Sequence, residues 1–316
     1  MTQQAPASQK VPLTPQPLVP PQPSAQVQPK QFVLPKPGEI ITSSITQNSY
    51  TIGDKIGEGN FGFVFDCKDV WENELAVKVF KPKGRTYDQV KAAAQSELMK
   101  LVELRNPFIT FVYDAFEFRD TFYIVTDRCH CSVSDLFSFP NFQGQGWIMP
   151  IARCLLQATH FLHINNYAHQ DIHPGNVLAA VVKDELVHTN PGVVKFKLSD
   201  LGVAKMFGQL SATNTRGQWM LPPEVLNSAE FGVIDHRIDI YHLGLLFLQL
   251  AYSKQLRFEK EDILNGKPRE MALVLPPPFN FALEKALRRH VNKRTATAME
   301  LWRDLHTPLL PKNTAS

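Results

Sequence analysis

The chain has 316 residues, 44% of them hydrophobic and 20% charged, enough apolar content for one large folded domain or two ordinary ones. A net charge of +3 brings no concentrated basic face and argues against a nucleic-acid partner. The longest apolar run, 238–251, is short of a membrane span and carries Asp239 and His242.

Residues 1 to about 40 hold ten of the 24 prolines and many glutamines. No periodic apolar face can be drawn there, so the segment is expected to be a disordered tail, 1–47. Its PxxP runs (Pro12–Pro15, Pro17–Pro20, Pro20–Pro23) have the form that docks on an SH3-type groove, although a plain linker has the same composition. The tail lacks the apolar run of a signal peptide. Cys67, Cys129, Cys131 and Cys154 form no CxxC pair; reduced thiols and a cytoplasmic location are expected. The CxC at 129–131 lacks the second ligand pair that a soft metal would need.

From about residue 48 the pattern changes. Stretches 49–56, 63–67, 74–80 and 121–126 are β-branched and aromatic and read as strands. Between them, 87–104 places alanines, Leu98, Leu101 and Leu104 at helical spacing. After about 132 the chain is mostly helical, with helices expected at 152–165, 238–251, 281–289 and 297–305. The expected fold class is α+β: a small antiparallel β-rich lobe with one main helix (about 48–127), then a larger α-helical lobe (about 130–308) and a C-terminal tail, 309–316.

Several short motifs fall on this frame. Ile56 to Val64 reads GxGxxGxV between two strands. A dinucleotide fold would put a helix after the glycines; here Gly57, Gly59 and Gly62 let backbone close over a phosphate chain without Cβ clashes, with Phe61 at the loop tip. Lys78 lies inside an apolar strand, where a lysine is unfavourable unless paired. Glu97, 19 residues on in the helix, is the preferred partner and Glu103 the alternative; such a pair would aim the ammonium at phosphate oxygens. His169 to Asn176 reads HQDIHPGN, which taken alone also resembles a two-histidine metal site. Then come Asp200-Leu-Gly202, Pro223-Glu224, Asp239 opening an apolar helix, and Arg294.

In order and spacing these motifs resemble the signature set of the eukaryotic protein-kinase family, Ser/Thr-like, over roughly 48–308. The resemblance implies a bilobal fold that moves a phosphoryl group from ATP, with Mg²⁺, to a protein hydroxyl. It implies that Lys78 holds the phosphates and Glu97 holds Lys78, that Asp200 and Asn176 take Mg²⁺, and that Asp171 receives or orients the acceptor hydroxyl. The nucleotide would lie under Ile56, Gly57, Glu58, Gly59, Gly62 and Val64. Its adenine would sit between Val64 and Ala76 on one side and Leu178 on the other, against the inter-lobe linker from Asp127 to Cys129, with Thr126 guarding the back of the pocket. His169 becomes part of an internal stack with Leu101, Val112 and Leu201, anchored by Asp239, and Glu224 pairs with Arg294.

The sequence departs from that family at two places. Gln170 stands where many members carry the arginine that reads a phosphate on the activation segment, so activity is expected not to depend on one, although Ser211, Thr213 and Thr215 are candidate phosphosites there. His173 replaces the usual lysine and would supply either a charge when protonated or one hydrogen bond when neutral. Residues 183–192 are expected to extend a hairpin, and Gly217 stands near the usual threonine of the acceptor pocket. Two other readings follow: a nucleotide-binding scaffold without activity, and a small-molecule phosphotransferase of the aminoglycoside or choline type, which Asp-Ile-His-Pro-Gly-Asn also resembles.

Overall fold

The structure is a computed structural model that describes residues 32–59, 62–182, 192–211 and 220–306. The PxxP runs, Phe61, residues 183–191 of the expected hairpin, Thr213, Thr215, Gly217 and the tail 309–316 lie outside the described residues.

The first lobe is an antiparallel sheet of β1 (Ile40–Thr42), β2 (Ser49–Glu58), β3 (Gly62–Lys68), β4 (Glu74–Phe80), β5 (Val112–Phe118) and β6 (Thr121–Asp127), in the order β1-β2-β3-β4-β6-β5. Helix α1 (Tyr87–Glu103) is inserted between β4 and β5. Thr86 and Gln89 form a reciprocal capping box that starts it. One face of the sheet closes on its own small core of Ile41, Tyr50, Ile52, Phe65, Val77, Phe116 and Tyr123. The other face, through Ile124 and Phe80, shares the large core of the second lobe along with Val90, Ala94 and Leu101 of α1.

The folded chain therefore reaches further toward the N-terminus than residue 48. Ile40–Thr42 pairs with Ser49–Thr51, Ile41 is buried, and Phe32 and Leu34 pack on the small core. Pro35 and Pro37 hide this edge strand from a sequence reading, because proline is compatible with strands only at such edges.

The second lobe contains β7 (Cys131–Ser132), α2 (Val133–Leu136), α3 (Ile148–Ile164), β8 (Tyr167–Ala168), β9 (Val177–Val182), β10 (Val193–Leu198), β11 (Lys205–Met206), α4 (Pro223–Leu226), α5 (Ser228–Phe231), α6 (Arg237–Ala251), α7 (Lys260–Asn265), α8 (Lys267–Leu273), α9 (Phe279–Ala286) and α10 (Ala298–His306). β10, β9 and β7 make a three-stranded sheet on the side that faces the first lobe, and β8 pairs with β11. Helix α6 is apolar all round and is buried from Ile238 to Leu250, as expected of a helix at the centre of a core. The molecule is bilobal, as the resemblance implies. Among the described residues no helix is long and apolar enough to cross a membrane.

Candidate active site

A cleft of about 590 Å³ separates the lobes. Ile56, Gly57, Glu58, Gly59, Gly62 and Val64 line it from the β2–β3 turn, Ala76 and Lys78 from β4, Glu97 from α1, Thr126, Asp127 and Cys129 from the linker, and Asn176, Leu178 and Asp200 from below. Asp171 and His173 stand beside it in the segment before Asn176.

Strand alternation explains the roof. Val64 pairs with Lys78 and Ala76 with Thr126, so their side chains share one face of the sheet. Gly62 is needed at its position, since a Cβ there would meet the Val79 carbonyl oxygen at 2.4 Å. The Glu58 side chain turns outward to Lys81 at 3.0 Å and Lys55 at 3.2 Å, and those two cations hold its pKa below the usual range.

Lys78 is the centre of the charge network. Its Nζ donates to both carboxylate oxygens of Glu97, at 2.7 and 2.8 Å, and to Asp200 Oδ1 at 3.3 Å. Burial alone would push this ammonium down, but Glu97 and then Asp200 more than offset that, and its pKa is raised. Glu103 is not the partner: six residues along the helix it is turned well away from Glu97, and it meets the Tyr167 hydroxyl instead, at 3.4 Å.

Asp200 sits in the left-handed backbone region, at φ 61°, which aspartate tolerates better than most residues. Its Oδ1 also accepts from Gly202 N at 3.2 Å. Burial raises this carboxyl, but Lys78 and then His169 outweigh it, and the net shift is downward. Gly202 keeps the space clear: a Cβ there would come within 2.9 Å of Asp200 Oδ1 and 3.3 Å of Glu97 Oε2.

Below, Asn176 Nδ2 donates to the Asp171 carbonyl at 2.9 Å, and the Asn176 carbonyl accepts from Ser199 N at 2.9 Å. The amide oxygen of Asn176 and the carboxylate of Asp200 are oxygen donors at the cleft floor. They suit a hard cation such as Mg²⁺. Among the described residues no cluster of three or more His, Cys, Asp or Glu is arranged to hold a metal; the two histidines of HQDIHPGN have other partners. His169 is fully buried, donates from Nε2 to the Ser199 carbonyl at 3.0 Å, and accepts Asp171 N on Nδ1 at 3.3 Å. Asp239 holds the same turn from beneath, accepting His169 N at 2.8 Å and Gln170 N at 2.7 Å. Leu101, Val112 and Leu201 lie in the large core above it.

His173 differs from one of its two expected roles. Its Nδ1 accepts Gly175 N at 3.0 Å and its Nε2 faces Asp171 Oδ2 at 3.7 Å. Burial, followed by the neighbouring His169 and His242, pushes its pKa down to about 4. With Nδ1 engaged as an acceptor, the ring is set to offer a hydrogen bond from Nε2, the second of those two roles.

Three further residues make contacts not expected from the sequence. The Asp127 side chain is engaged by Lys197 at 2.6 Å and by Phe111 N at 2.6 Å, and its own N–H donates to the Phe111 carbonyl at 3.2 Å. Arg128 pairs with Asp66 and donates to the Cys129 carbonyl. Lys100, one helical turn after Glu97, is buried and donates to the carbonyls of Leu201 at 3.0 Å and Gly202 at 3.1 Å. Burial and nearby Lys205 push its pKa down to about 8.

Away from the cleft, Arg294 grips Glu224 through two hydrogen bonds of 2.7 and 2.8 Å, both side chains fully buried. Compared with known proteins, residues 50–304 match the family model for the protein kinase domain. The chain belongs to the protein kinase domain family. This kinase domain is 28% identical over 214 residues to human cyclin-dependent kinase-like 4, covering 66% of this chain and 52% of that one. It is 30% identical over 203 residues to serine/threonine-protein kinase TAO2 of Xenopus laevis, covering 63% of this chain and 18% of the relative. With serine/threonine-protein kinase TAO3 of Xenopus laevis it shares 32% over 203 residues, 63% of this chain and 21% of the relative. The matched region thus spans about half or less of these relatives.

Proposed function

We propose that the kinase domain transfers the γ-phosphoryl group of ATP to serine or threonine hydroxyls of a protein substrate, in a Mg²⁺-dependent reaction. The observation that carries this reading is the three-way contact of Lys78 with Glu97 and Asp200, made across the cleft between two lobes. It places a held cation and an oxygen-donor carboxylate at one point, as phosphate and a hard metal require.

On this reading Lys78 binds the α- and β-phosphates and Glu97 fixes its direction. Asp200 and Asn176 would hold Mg²⁺, which offsets negative charge on the phosphates when bound. The rim from Ile56 to Val64 covers the nucleotide, and Val64, Ala76 and Leu178 sandwich the adenine. The linker backbone from Asp127 to Cys129 bonds its edge. Asp171 orients the acceptor hydroxyl, and His173 donates one hydrogen bond nearby. Little covalent work falls to the protein; position and charge carry the rate. Support for a protein acceptor comes from the family and from the buried Glu224–Arg294 pair next to the segment that would receive it.

The test is incubation with γ-labelled ATP and Mg²⁺, with and without generic protein acceptors, beside Asp200→Ala. Label appearing on protein with wild type and lost in the variant is expected. Nucleotide binding with no transfer to anything would instead favour a scaffold. Consumption of ATP only with small hydroxylated compounds would favour a small-molecule phosphotransferase.

A further inference from the structure

The three residues that follow Asp200 present three successive backbone carbonyls, and each is held by a buried side chain from another element. Lys100 of α1 donates to the carbonyls of Leu201 and Gly202. Gln170, fully buried, donates from Nε2 to the carbonyl of Val203 at 2.9 Å. We propose that Lys100 and Gln170 are positioning residues that lock residues 200–203 to helix α1 and to the 169–176 turn, so that the cleft is assembled without a phosphate on the segment that follows. This rests on the phosphoryl-transfer reading above and adds to it how the site is switched, or rather left switched on.

The geometry couples two parts of the site that would otherwise move independently. Glu97 and Lys100 are three residues apart and so project from the same side of α1. Glu97 reaches Lys78 in the sheet, while Lys100 reaches the backbone just past Asp200. Sliding or tilting α1 away breaks both contacts together. Lys100 is 8% exposed, and its ammonium donates to two backbone carbonyls. A buried cation stripped of its acceptors is strongly unfavourable, so any state in which the 200–203 segment departs must also let Lys100 out to water.

Gln170 makes the same argument from below. It has φ 68° and Asp200 φ 61°, two non-glycine residues in the left-handed region. Such conformations persist where surrounding contacts over-determine them. For Gln170 those contacts are Asp239 Oδ1 on its N–H at 2.7 Å and the Val203 carbonyl on its amide. A guanidinium at this buried position would need an anion to neutralise it. A neutral amide needs none, and its donor is already used on the segment itself.

The experiment uses the full chain, treated with a phosphatase, as wild type, Lys100→Met, Lys100→Arg and Gln170→Leu. Hydrogen–deuterium exchange without nucleotide is read over 199–206 and over α1, together with kcat and KM for ATP. Wild type should keep its activity after phosphatase treatment. Lys100→Met should raise exchange at 199–206 and in α1 at least tenfold, raise KM for ATP and lower kcat; Lys100→Arg, which keeps the donors, should restore most of both. Gln170→Leu should raise exchange at 203–206 and leave α1 unchanged. Equal exchange in wild type and Lys100→Met, or wild-type activity that vanishes on dephosphorylation, would overturn the proposal. If Lys100→Met does not fold, Lys100→Arg and Gln170→Leu still decide it by the same exchange readout. If no variant, wild type included, transfers phosphate, the phosphoryl-transfer reading fails, and the exchange data judge the lock independently.

Discussion

Two carboxylate–cation pairs have the same hydrogen-bond lengths, 2.7 and 2.8 Å, and they do different work. Glu224–Arg294 is closed: both side chains are fully buried, and Arg294 also donates to the carbonyls of Arg237, Arg288 and Arg289. Lys78–Glu97 is open: Lys78 remains 17% exposed to the cleft and shares its ammonium with a third group, Asp200. In the first pair every donor is committed to the protein, so the pair can only hold structure. In the second a cation faces an accessible cavity with its partners on separate elements. The difference lies in what surrounds the charges, not in the charges.

The largest effect should come from opening the closed pair. Arg294→Ala leaves Glu224 buried and unpaired, which is expected to destabilise by about 3–5 kcal/mol, read as a lower midpoint in urea unfolding. A midpoint equal to wild type would show that the two pairs are not distinct in kind. The open pair should respond the other way. Lys78→Met is expected to lower phosphoryl transfer by at least about 100-fold while shifting the unfolding midpoint less than Arg294→Ala, since this pair is only partly withdrawn from water on its cation side.

Next in size is a pH effect that bears on the closed region. His242, buried beneath the 220–224 segment and bonded to the Met220 carbonyl at 3.2 Å, has its pKa pushed down to about 4 by burial. In the unfolded chain it takes up a proton below about 6.5, whereas the folded form does not until about 4. The unfolded state therefore binds more protons in that window, and stability falls as pH drops from about 6.5 to about 4. Between pH 7 and 5 this one ring contributes a loss on the order of 2 kcal/mol. Urea midpoints of His242→Gln should fall less over the same interval; an identical fall would exclude His242 as a source.

The smallest effect concerns the open site. Because burial pushes the His173 pKa down to about 4, the pH–rate profiles of wild type and His173→Lys are expected to coincide in shape from pH 6 to 8. A wild-type limb near 6.5 that disappears in His173→Lys would mean that this histidine does act through its charge.

Much of the cleft can be read from the chain because its chemistry demands residue types that other uses rarely combine. A lysine in an apolar strand asks for a carboxylate, and helical phase favours Glu97 over Glu103. Strand and helix positions at 74–80, 87–104 and 238–251 follow from periodicity to within a residue. Other features depend on burial that no local pattern reports. Lys100 reads as an ordinary helix-surface lysine until the 200–203 backbone is packed against it. The hydrogen-bonding role of His173 requires knowing that Gly175 N points at Nδ1. The edge strand at Ile40–Thr42 is three residues long behind two prolines, too short for alternation to register. Helices α7 and α8, six and seven residues long, are likewise below the length at which a periodic stripe stands out.

If the Lys78 pair is a nucleotide-binding device and the Arg294 pair a structural one, the two should separate in a binding measurement. Calorimetric titration of ATP into wild type, Lys78→Met and Arg294→Lys, at a temperature where all three are folded and with and without Mg²⁺, tests it most directly. Mg²⁺ is expected to tighten ATP binding to wild type and to Arg294→Lys alike, and Lys78→Met to bind at least tenfold more weakly. Binding by Lys78→Met as tight as by wild type, with Arg294→Lys the weaker binder, would contradict it.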